Sequence, residues 1–65
     1  MYQCLKLRKF SKGEKIFWLT KFLDPERAEV FTVYTHKAPP FEVGVSYDLC
    51  LMPNFKGFNF LANEL

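Results

Sequence analysis

Between Val45 and Met52 an unbroken apolar set, Val45, Tyr47, Leu49 and Leu51, holds one parity, opposite Ser46, Asp48, Cys50 and Met52 on the other. Side chains on a strand point to opposite faces in turn, so this period of two predicts a strand with one buried face. The same period runs through Tyr2–Phe10, where Leu5 and Leu7 are expected to face the core and Lys6 and Arg8 the other side. Lys15–Leu23 is apolar on both parities, with Ile16, Trp18 and Phe22 against Phe17, Leu19 and Leu23. Such a strand is either buried on both sides or turns one face to a ligand or another subunit. Glu29–His36 and Phe58–Ala62 complete five predicted strands, all rich in β-branched and aromatic residues.

Ser11-Lys12-Gly13-Glu14, Asp24-Pro25-Glu26-Arg27 and Pro53-Asn54-Phe55-Lys56-Gly57 carry turn chemistry between these strands. Adjacent Pro39 and Pro40 exclude a helix interior or a central strand from the longer connection, Lys37 to Gly44. No stretch has a helical period of useful length; the best, Asp24 to Val30, is too short. Three strands joined by short connections, a crossing loop and a final hairpin are the layout of an all-β, five-stranded OB-like Greek-key barrel. It forms one domain over residues 1–65, with the proline loop where larger members carry a helix.

Composition adds a question to this outline. Eight phenylalanines, three tyrosines and one tryptophan occur in 65 residues, more rings than the interior of so small a barrel is expected to hold. The surplus predicts exposed aromatics, and exposed apolar area usually has a purpose. A core of this size gives only about 3–5 kcal/mol of net stability, and a partner subunit is the expected staple, making a homodimer the expected state.

The net charge of +2 conceals an asymmetry. Residues 1–21 carry Lys6, Arg8, Lys9, Lys12, Lys15 and Lys21 against Glu14 alone, a balance of +5, while the remainder sums to −3. Folded as a hairpin, the first segment becomes a patch that attracts polyanions. The plainer reading is a solvated strand face.

Catalytic and metal chemistry find no footing. His36 is the only histidine and has no serine or cysteine nucleophile near it in sequence. The carboxylates are scattered, and there is no glycine-rich phosphate loop. Cys4 and Cys50 lack the paired spacing of a zinc site and read as reduced, buried small hydrophobes. We expect no enzyme, no cofactor and no metal. The N-terminus has no leader-like apolar run and no segment approaches the about 18 apolar residues of a membrane span, so the expected location is the cytoplasm, with no membrane partner.

Pro40-Phe41-Glu42-Val43-Gly44-Val45-Ser46-Tyr47-Asp48-Leu49 and the following Pro53-Asn54-Phe55-Lys56-Gly57-Phe58 resemble the C-terminal half of the filamentous-phage gene V type of single-stranded-DNA-binding protein, over residues 39–60. The resemblance implies a dimeric OB-like barrel that coats single-stranded DNA with little sequence preference, in phage or plasmid DNA replication, with Phe55 as a hairpin-tip aromatic. The chain lacks that family's long hairpin between the second and third strands, so the lysines of the first hairpin are the expected substitute.

Two functions follow as expectations. In the first, Lys6, Arg8, Lys9, Lys12, Lys15 and Lys56 neutralise the phosphates of single-stranded DNA, with RNA the other candidate, and Phe17, Tyr34 and Phe55 stack on bases. Phe17 is preferred to Trp18 because it shares a parity with Lys15 and Lys21. Phe60 is assigned to the core. In the second, the same rings anchor a small protein-interaction module or inhibitor that docks on a host protein.

Overall fold

Gly13 sets the register from which the sheet is built. Its φ of 63° is positive while that of Glu14 is not, the pattern of a two-residue type II′ hairpin turn with glycine at its first central position. Lys12 is thereby placed opposite Lys15, Phe10 opposite Phe17 and Arg8 opposite Leu19. The computed structural model describes residues 1–53 and 57–61. Its strands are β1 (Tyr2–Lys12), β2 (Lys15–Asp24), β3 (Glu29–Thr35), β4 (Ser46–Tyr47), β5 (Leu51–Pro53) and β6 (Asn59–Leu61). They form a single sheet in the order β4-β1-β2-β3-β6-β5. Ala62 lies outside the described residues, as do Phe55 and Lys56.

The expected fourth strand is two. Its first part, β4, pairs with β1 at one edge of the sheet, and its second part, β5, pairs with β6 at the other. One run of chain thus reaches both edges, which curls the sheet into a partial barrel. β6 returns parallel to β3 while every other pairing is antiparallel. The described residues contain no helix, and the fold is the expected small all-β, OB-like barrel with its fourth strand broken at the corner. Among the described residues no helix is long and apolar enough to cross a membrane.

The second turn is made by a side chain. Asp24 Oδ1 accepts the N–H groups of Glu26 at 3.1 Å and Arg27 at 3.4 Å, an Asx-type turn. Ala28 then takes the left-handed conformation at φ 53°.

Inside the curl, Cys4, Phe22 and Val33 have no exposed surface, and Tyr2, Phe31, Tyr47, Leu49, Leu51 and Leu61 pack around them. Phe41, brought in by the proline loop, closes the end of the barrel with its ring 5.0 Å from those of both Phe22 and Tyr47. Tyr47 ties that loop down: its hydroxyl accepts the Glu42 N–H at 2.8 Å and donates to the Pro40 carbonyl at 3.5 Å. Two buried hydroxyls, Thr20 Oγ1 and Thr35 Oγ1, lack a hydrogen-bond partner.

β1 departs from simple alternation. Cys4 pairs with Phe22 and Lys6 with Lys21, leaving Leu5 as the extra residue of a β-bulge. A bulge inserts one unpaired residue and reverses the parity beyond it. Cys4 is buried, as expected, while Leu5 is 39% exposed instead of facing the core, and Leu7, opposite the buried Thr20, faces inward. The cysteines also part company. Both are free, but only Cys4 is buried; Cys50, expected inside, is exposed, since it lies between β4 and β5 where its neighbours Leu49 and Leu51 take the places against the core. Burial pushes the Cys4 thiol above its ordinary pKa, opposed by a hydrogen bond with the Lys6 backbone.

Candidate nucleic-acid interface

Beyond the bulge, Lys6, Arg8, Phe10 and Lys12 lie on the outer face of β1. Their partners on β2 are Lys21, Leu19, Phe17 and Lys15, and β3 sets Thr32 beside Lys21 and Tyr34 beside Leu19. The outer face is consequently banded across the strands. A basic row, Lys6 and Lys21 ending in Thr32, is followed by Arg8, Leu19 and Tyr34, then by Phe10 and Phe17, and finally by Lys12 and Lys15 at the turn. From Lys6 to Lys12 is six residues of strand, about 20 Å. None of these positions holds a carboxylate.

The rings form a connected platform. Phe10 and Phe17 are 5.4 Å apart with planes 12° from parallel, and Phe17 and Tyr34 are 5.0 Å apart at 20°. Tyr34 continues to Phe60 at 5.5 Å, Phe58 at 6.3 Å and His36 at 5.0 Å. These side chains, with Lys12 and Leu19, line an open cavity of about 580 Å³. The Arg8 guanidinium stands 5.9 Å from the Phe10 centroid, where the negative ring face attracts it.

Of the predicted site residues, Lys6, Arg8, Lys12, Lys15, Phe17 and Tyr34 share this face. Lys9 does not. It sits opposite Trp18 on the inner parity, its ammonium 5.9 Å from the Trp18 ring, because the strand sends it to the face opposite Arg8. Phe55 and Lys56 lie outside the described residues.

Phe60 departs from its core assignment: the parallel pairing of β6 with β3 sets it beside Tyr34 and turns it to the outer cavity. Phe10, Leu19, Lys21, Thr32 and Phe58 join the site unpredicted. Counting back from the Gly13 turn would have found Phe10, and the parity of Phe17 leads to Leu19 and Lys21. Phe58 required the pairing of β6 with β3, which no local signal carries.

Two lysine pairs give this face its electrostatic character. Lys6 faces Lys21, and Lys12 faces Lys15, directly across the strand pair. Like charges directly opposite are destabilising, so each pair works against the free protein and becomes favourable only beside an anion. No family model, no curated protein and no solved structure matches this chain, so the work of the face is read from its own residues.

Proposed function

We propose that the outer face of β1, β2 and β3 binds single-stranded DNA with little regard to sequence. The observation that carries this reading is the band of near-parallel rings, Phe10, Phe17 and Tyr34, bracketed by two directly opposed lysine pairs on a face with no carboxylate. Rings offer every base a stacking surface, worth roughly 1–3 kcal/mol per base, and cations follow the phosphates. RNA presents the same two features and is the other substrate of this class. The gene V-type resemblance points the same way, and with it come phage or plasmid DNA replication as the setting, the cytoplasm as the place and a homodimer as the working form. Leu5, Val43 and Val45 are exposed around the junction of β1 and β4 and offer that dimer an apolar surface.

The test is anisotropy of labelled oligo-dT titrated with the protein at two salt concentrations, with a duplex of equal length as control. Preference for the single strand is expected, with a log–log salt slope of roughly −2 to −3 for three or four phosphate contacts. Absence of binding at low salt would overturn the reading and transfer the rings to a protein partner, whose apolar contacts respond little to salt. A monomer in sedimentation equilibrium at tens of micromolar would remove the dimer.

A further inference from the structure

The outer face holds a second cavity beside the aromatic one, and the two differ in chemistry. It has a volume of about 260 Å³ and is lined by Lys6, Arg8, Lys21 and Thr32, with Phe10, Leu19 and Phe58 as the wall it shares with the larger cavity. Three cations and a hydroxyl converge there, and none of the four comes from the hairpin tip. We infer that this smaller cavity is a phosphate seat, taking one backbone phosphate of a nucleic acid whose adjoining base lies against Phe10 in the larger cavity. The inference rests on the reading of the face as a single-strand binder and adds to it a division of labour among the cations.

Geometry gives the division its reason. Lys6, Lys21 and Thr32 are successive neighbours across β1, β2 and β3, so one anion at their centre meets cations from two strands and a hydroxyl from a third. Arg8 lies one step along β1, over the Phe10 ring, at the boundary between phosphate and base. Lys12 and Lys15, by contrast, flank the turn on the far side of the rings and do not line this cavity. They raise the local attraction for a polyanion without holding a particular phosphate.

The opposed pair Lys6 and Lys21 supplies a test that separates binding from folding. Glutamate at position 21 would face Lys6 across the strands, turning a repulsive pair into an attractive one. Lys21→Glu is therefore expected to raise the thermal midpoint of the free protein while binding to oligo-dT falls by more than in Lys21→Ala. Lys21→Ala itself should lower affinity about tenfold on any sequence and make the salt slope shallower by about 0.7, the share of one phosphate on a single strand. The double variant Lys12→Ala/Lys15→Ala removes two charges yet should weaken binding less.

A larger loss in the double variant, or an unchanged salt slope in Lys21→Ala, would overturn the seat while leaving single-strand binding in place. A fall in thermal midpoint for Lys21→Glu would overturn it too, by showing that the lysine serves the fold. Failure of the unaltered protein to bind oligo-dT at low salt would overturn the seat together with the reading beneath it.

Discussion

The two faces of the β1–β2–β3 sheet are both aromatic, and they use their rings in opposite ways. On the inner face Phe22 has no exposed surface, meets Phe41 and Tyr47 edge-on, at 88° and 89°, and lies nearly parallel to Phe31, at 20°. Edge-on packing lets the positive rim of one ring meet the negative face of another while water is excluded. On the outer face Phe10, Phe17 and Tyr34 stand half-exposed with nearly parallel planes, among cations and without a carboxylate. Ring count alone does not distinguish these roles. Parity along the strand and the charge of the cross-strand neighbours do.

Substitution can break this contrast, and the largest effect is expected inside. Phe22→Ala should remove about 3–5 kcal/mol, the whole net stability of a domain this size, so urea denaturation should find the variant largely unfolded. Phe17→Ala on the outer face should leave a cooperative unfolding transition and weaken oligo-dT binding by about 1–3 kcal/mol. Equal damage to folding by both substitutions would show the outer rings to be a second core. A smaller effect of opposite sign concerns the inner hydroxyls. Thr20→Val replaces an unpartnered buried oxygen with a methyl of similar shape and should stabilise by about 1 kcal/mol, seen as a higher urea midpoint with oligo-dT affinity unchanged. Smallest of all, Ala28→Gly should gain about 0.5 kcal/mol by relieving a left-handed alanine, net of the freedom glycine adds to the unfolded chain. Thermal melting measures it, and a loss would mean that the turn tolerates alanine without strain.

Much of the inner face was legible in the sequence because it rests on local periodicity. Tyr47, Leu49 and Leu51 follow the alternation of their segment and pack into the core as expected, whereas Val45, on the same parity but ahead of β4, is 42% exposed. The outer face was legible where the Gly13 turn fixes pairing within a few residues, hence Phe17 opposite Phe10. What escaped depends on contacts distant in sequence. The break between β4 and β5 arises because one segment must serve both edges of a curled sheet, and nothing in Asp48-Leu49-Cys50 marks it. Phe60 was misplaced for the same reason: its side is set by β3, some 26 residues earlier at Tyr34. Leu5 left its expected core position because a bulge has no sequence signature of its own here.

That bulge gives the first strand a residue it can lose without turning over. Leu5 is partly exposed and has no cross-strand partner, so the sheet itself asks little of its side chain. Deleting it would set Lys6 directly after Cys4, in regular register opposite Lys21, with Cys4 and Leu7 still inside and Lys6, Arg8, Phe10 and Lys12 still outside. What goes is the local bend and added twist that a bulge gives a strand. Deleting a paired residue beyond the bulge is a different matter: the stretch on one side of the gap would turn over, and a protein of nearly the same composition would lose part of its interior and of its binding surface in one event.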